Sequence, residues 1–200
     1  MRTLALVALG VLVSGCATST PPRHLALAID VSDPDEKLLI RYAGLAYRLE
    51  SKLSPGDKLT VYFFGHDCDL VYEGPKISGR SAFNEKIGRK LLQIRPGLAT
   101  SGTRTDLALA RLAEAATPGQ TPTFLVLETD GGIEDVGPAV KAQIASALTQ
   151  MRAAPGFKGL AVVGVEDRWR LEWKDWLGPL NGRGIVCGTG DGDTALEALR

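Results

Sequence analysis

The sequence is short of the residues that most often carry catalytic or zinc chemistry, with two histidines and three cysteines in 200 residues. His24 and His66 stand alone, with neither metal-ligand spacing nor a catalytic partner readable beside them. Net charge of either sign is also lacking. The 23 Lys and Arg balance 23 Asp and Glu, with no basic run and no acidic tail, so nothing marks a nucleic-acid binder. There is no nucleophile elbow, no Walker loop and no dinucleotide glycine fingerprint. Repeats and low-complexity segments are missing too. What remains is an ordinary globular composition, enough for a single domain with its own core. Glycine content is rather high, at 23, and the glycines fall mostly where strands would hand over to helices.

The amino terminus has the layout of an export signal. Arg2 supplies a positive start, and Leu4 to Val13 form an apolar stretch too short to span a bilayer comfortably. Val13-Ser14-Gly15-Cys16 follows and resembles the bacterial lipobox, in which small residues admit the signal peptidase and the thiol accepts a diacylglycerol. Val13 stands where leucine is commoner. The expectation is a signal peptide over 1–15, lipidation of Cys16, and a tether over 16–23 whose Pro21-Pro22 keeps it extended. Several acyl chains would give a stable anchor, since one binds only marginally. Ala17 rather than Asp after the cysteine points, by analogy with Gram-negative sorting, to the periplasmic face of the outer membrane.

From 24 to 200 the pattern alternates between strand and helix. Leu25 to Ile29 is a continuous apolar run ending in Asp30, suited to a central strand covered on both faces. Asp33-Pro34-Asp35-Glu36 reads as a helix start, with Asp33 as cap and Pro34 in the first turn. Leu38, Tyr42, Leu45, Ala46, Leu49 and Leu53 keep helical period up to Pro55-Gly56. Strands are expected at 58–64, 69–72, 123–127, 160–165 and 184–187, the second of these antiparallel to the first through a short turn. Helices are expected at 83–92, through Leu109, Leu112 and Ala116 after a polar loop at Ser101 to Thr105, around 140–151, at 168–180 and at 194–199. Such alternation predicts an α/β fold: a doubly wound, mostly parallel six-stranded sheet with helices on both faces and one antiparallel edge strand.

Three strand-end loops are rich in small oxygen-bearing side chains: Asp30-Val31-Ser32-Asp33-Pro34, Ser101 to Asp106, and Thr129-Asp130-Gly131-Gly132. Ligands of open parallel sheets bind where loops leave the carboxyl ends of the strands. Carboxylate and hydroxyl oxygens from separate loops suit a hard divalent cation, Mg²⁺ in particular. The same residues also fit a purely structural role, capping helices and binding loop amides. Gly131-Gly132 fits a backbone with φ above zero.

The three loops, in this order, resemble the metal-ion-dependent adhesion site of von Willebrand factor A domains. That site is Asp-x-Ser-x-Ser after the first strand, a threonine before a helix, and an aspartate after the fourth strand. Asp30 and Ser32 match the first two positions. Thr103-Arg104-Thr105-Asp106-Leu107-Ala108-Leu109 resembles the threonine segment and makes Thr103 the metal threonine, because Leu109 and Leu112 then face the sheet. Asp130 matches the final aspartate. Asp33, Thr105 and Asp106 are secondary candidates beside the site. Pro34 departs from the pattern, removing the second serine hydroxyl. The resemblance implies a Rossmann-like sheet in the order 3-2-1-4-5-6, and Mg²⁺ or Mn²⁺ held by Asp30, Ser32, Thr103 and Asp130. It also implies a partner protein that offers an acidic side chain to the metal. In that strand order Cys68 and Cys187 lie four strand spacings apart, roughly 19 Å, so both are expected as free thiols.

Other features are weaker. Trp169, Trp173 and Trp176 share one helical face and are expected to pack on the sheet rather than form a recognition stripe. The Gly188 to Asp193 run lacks a calcium-loop spacing and reads as a loop into the last helix. Asp30 would also suit a strand-end-aspartate phosphotransfer enzyme, but such enzymes carry a second aspartate where this chain has Ser32. A binding module is therefore expected, not an enzyme, with a metal-free envelope scaffold as the alternative.

Overall fold

The computed structural model describes residues 21–32, 36–94, 103–132, 137–188, and positions 194 and 197. Cys16, Asp33, Pro34, Ser101 and the Gly188 to Asp193 run beyond Gly188 lie outside the described residues. So does the expected last helix, apart from Thr194 and Glu197, which are helical.

Strand β1 (His24–Asp30) is buried along its whole length, as its uninterrupted apolar run requires. It lies at the centre of a six-stranded sheet with β2 (Lys58–Phe64), β3 (Cys68–Pro75), β4 (Thr123–Glu128), β5 (Phe157–Val165) and β6 (Gly184–Gly188). The order is β3-β2-β1-β4-β5-β6, and only β3 runs antiparallel to its neighbour.

Alternation along β1 divides the core in two. Leu25, Leu27 and Ile29 face helix α1 (Glu36–Ser51), whose Leu39, Tyr42, Leu45, Ala46 and Leu49 are buried at helical spacing. Leu39, not Leu38, is the first fully buried position of that stripe; Leu38 is half-buried. Ala26 and Ala28 face the other way, toward α4 (Thr105–Ala116) and α5 (Pro138–Ala153). Each large aliphatic side chain so buried contributes about 1.5–3 kcal/mol relative to exposure.

Two expected helices are broken. The 83–92 segment begins earlier, as α2 (Arg80–Phe83), passes through a π turn (Asn84–Gly88) and resumes as α3 (Arg89–Leu92). The tryptophan segment starts as a 3₁₀ turn (Asp167–Trp169), continues as α6 (Arg170–Trp176) and ends in a second 3₁₀ turn (Gly178–Leu180). Pro179 lacks the N–H that would continue α6. Trp173 is fully buried, Trp169 and Trp176 pack against the same core, and Trp173 meets Trp176 edge-on at 5.3 Å. The three rings therefore pack on the sheet, as expected. Neither Cys68 nor Cys187 forms a disulfide, as expected.

The chain enters the fold at the amino-terminal edge of the sheet. There the Asp57 carboxylate accepts from the Arg23 backbone N–H at 2.7 Å, from its guanidinium at 3.1 and 3.2 Å, and from Ser54 N–H at 2.7 Å. No helix among the described residues is long and apolar enough to cross a membrane.

Candidate functional site

The parallel pairing of β1 with β4, Ile29 opposite Glu128, makes Asp30 and Thr129 leave the sheet side by side. The start of α4 reaches the same edge because Arg104 N–H donates to the Gly65 carbonyl at 2.8 Å, just past the end of β2. Three loops distant in sequence thus meet above the central strands.

Asp30 is the hub. Its Oδ1 accepts from Ser32 N–H at 2.9 Å and from the Ser32 hydroxyl at 2.6 Å, and its Oδ2 accepts from the Thr129 hydroxyl at 2.7 Å. Ser32 Oγ lies 2.7 Å from Thr103 Oγ1. Ser32 spends its single proton on Asp30, so Thr103 is the donor of that pair. Burial pushes the Asp30 carboxyl up to about 6; the Ser32 and Thr129 hydrogen bonds oppose the rise, and the Asp130 charge adds to it.

Asp130 is half-buried, and its Oδ1 accepts from Gly132 N–H at 2.8 Å. Its loop is held by Gly131 N–H, which donates to the Thr129 hydroxyl at 3.1 Å, and by a long contact of 3.4 Å from Trp173 Nε1 to the Gly131 carbonyl. Gly131 has φ +94°, and a Cβ there would lie 2.8 Å from Val165 Cγ1. Of the two loop glycines, only Gly131 needs a positive φ; Gly132 does not adopt one.

The secondary candidates fall differently. Asp106 is buried and gripped by Arg104, whose Nε and Nη2 donate to its two oxygens at 2.9 and 2.7 Å. Burial pushes the Asp106 carboxyl up, but Arg104 outweighs it and holds the group below the usual range. Both Asp106 oxygens are thus engaged by a cation the chain itself supplies. Thr105 is buried, and its hydroxyl has no hydrogen-bond partner among the described residues. Asp33 lies outside the described residues.

Sequence reasoning missed Thr129 and Glu128. Glu128 ends β4 on the α1 face, with no exposed surface and no hydrogen-bond partner for either oxygen among the described residues. Burial pushes it well above the usual carboxylate range, against the pull of Arg48 and Arg41. The Tyr42 hydroxyl is likewise buried and without a partner among the described residues, and it is raised by burial and then by Asp30, Glu128 and Asp130. The signal for Glu128 was present: an acid directly continuing a buried apolar strand.

This edge therefore joins the Asp30 carboxylate to the Ser32, Thr103 and Thr129 hydroxyls, with the Asp130 carboxylate on the loop that follows Thr129, an all-oxygen donor set that fits a hard divalent cation. Among the described residues, no three His, Cys, Asp or Glu side chains form a metal-binding group by themselves. A cation here would rely on the Ser32 and Thr103 hydroxyls, as the resemblance implies.

No family model and no curated protein matches the sequence. Solved structures do match. One is a von Willebrand factor type A protein from Catenulispora acidiphila, with TM-score 0.67 and 17% identity over 88% of this chain and 41% of that one. An aerotolerance-related membrane protein from Bacteroides fragilis matches with TM-score 0.61 and 18% identity over 88% of this chain and 96% of that one. Proximal thread matrix protein 1 from the mussel byssus, with a zinc-occupied MIDAS motif, matches with TM-score 0.58 and 12% identity over 88% of this chain and 46% of that one. The chain spans less than half the length of the first and third of these proteins. Strand order, the antiparallel edge strand and these likenesses agree: the chain has the α/β fold of von Willebrand factor A domains.

Proposed function

We propose that this chain is a cell-envelope lipoprotein whose A-like domain binds a partner protein through a divalent cation. Asp30, Ser32, Thr103 and Asp130 would hold the ion, Mg²⁺ or Mn²⁺, and a carboxylate of the partner would replace one of its waters. The observation that carries this is the contact of Ser32 Oγ with both Asp30 Oδ1 and Thr103 Oγ1, at 2.6 and 2.7 Å. It joins oxygens from two loops beside a third that bears Asp130. A zinc-occupied MIDAS motif in a structure of similar fold supports the reading. With Cys16 lipidated, the anchor leaves at the amino edge of the sheet and the site opens at the carboxyl edge. The seven residues of β1 separate the two by roughly 23 Å. The partner would then be met on the side away from the bilayer.

The metal-free scaffold remains the second reading. What favours it is that Asp30, Ser32 and Thr103 satisfy one another without an ion. Thermal unfolding with Mg²⁺, Mn²⁺ or a chelator separates the two. An ion at about a hundred times its Kd stabilises the fold by about 2.7 kcal/mol, a rise of several degrees in Tm. Equal Tm values in saturating cation and in chelator would leave the scaffold reading in place.

A further inference from the structure

A groove of about 600 Å³ runs between α1 and the α2–α3 segment, away from the residues of the cation site. Ile40, Gly44 and Tyr47 line it from α1, and Arg80, Arg89 and Leu92 from the facing segment. We propose that it docks an acidic amphipathic helix of a partner protein.

Four observations point there. Ile40 and Leu92 are each 54% exposed, two large aliphatic side chains that the domain leaves uncovered beside one concavity. Gly44 lies in the interior of α1, where glycine is costly relative to alanine, yet a Cβ there would meet nothing within 4 Å. The domain's own packing does not require that glycine; a second backbone approaching closely would. The facing segment leaves α-helical hydrogen bonding for the π turn Asn84–Gly88, a distortion often found at functional sites. The charged lining is net positive: Arg80 and Arg89 stand against Glu85 alone, in a chain of zero formal net charge, while Lys86 and Lys90 turn toward Tyr72 and Val71 of β3.

Arg80 lies over the Tyr47 ring, 5.9 Å from its centroid, which fixes the guanidinium along the groove. A helix between two helices would seat its apolar stripe on Ile40 and Leu92 and set its carboxylates against Arg80 and Arg89. The concavity favours a protein segment over a flat lipid surface.

The test uses the purified full chain and a labelled peptide of about 15 residues, with leucines at helical spacing and glutamate elsewhere. The same leucine pattern with lysine in place of glutamate is the control. The acidic peptide is expected to bind saturably and the basic one not. Affinity is expected to fall about tenfold or more in Gly44→Leu, which fills the groove, and in Arg80→Glu, which reverses a charge. Both variants should keep the wild-type response to Mg²⁺, so a failure here is distinct from a failure of the cation site. No binding of the acidic peptide at about 1 mM, equal binding of the basic peptide, or binding unchanged in both variants would overturn the proposal. So would a dimer in sedimentation that Gly44→Leu dissociates, since the groove would then hold a second copy of the chain.

Discussion

Thr129 gives its hydroxyl proton to Asp30 Oδ2 at 2.7 Å, joining the ends of two neighbouring strands across 99 residues of sequence. The Thr129 hydroxyl oxygen in turn accepts from Gly131 N–H, so one threonine connects the first acidic loop to the third. Removing the hydroxyl leaves a buried carboxylate oxygen with one partner fewer. Thr129→Val is expected to cost about 1–3 kcal/mol in urea unfolding and to raise the Asp30 pKa further above its present position. Thr129→Ser, which keeps the donor, should recover most of both effects.

The two loop glycines are expected to respond differently to a methyl group. At Gly131, alanine meets φ +94° and Val165 Cγ1 at 2.8 Å, whereas at Gly132 the nearest obstruction is Asp130 Oδ1 at 3.3 Å. Gly131→Ala should destabilise by about 1–3 kcal/mol and Gly132→Ala by less than about 1 kcal/mol. Urea midpoints at equal m-values would report the difference.

His24 sets an acid limit on stability at the opposite edge of the sheet. It is buried, its Nε2 lies 2.9 Å from Thr60 Oγ1, and burial, aided by Lys58, lowers its pKa to about 4. Between about pH 6.5 and 4 the unfolded chain takes up a proton that the folded chain refuses. The stability from the neutral imidazole is therefore full above that window and lost as pH falls through it, by up to about 3 kcal/mol. Unfolding of His24→Gln across the same window should show a shallower loss than the wild type.

Much of this was legible in residue order. Continuous apolar runs gave the buried parallel strands, and acids and hydroxyls at the ends of three such runs located the loops that the fold brings together. Thr129 was not legible because its role depends on β1 and β4 being neighbours in register; in sequence it is one more polar residue after a strand. Glu128 lies just past the strand expected at 123–127, because a charged side chain reads as a strand end, yet it continues β4 and is fully buried. The breaks at the π turn and at Pro179 were missed for another reason. Apolar spacing there stays near helical period while the hydrogen-bond pattern changes, and side-chain periodicity reports only the former.

The central claim is that a divalent cation binds between these loops, and calorimetric titration of Mg²⁺ and Mn²⁺ into the full chain, beside Asp130→Ala, tests it most directly. Saturable binding by the wild type is expected, weakening below about pH 6 as Asp30 takes its proton, and it should be lost in Asp130→Ala. Absence of binding by the wild type, or the same isotherm in Asp130→Ala, would contradict the claim.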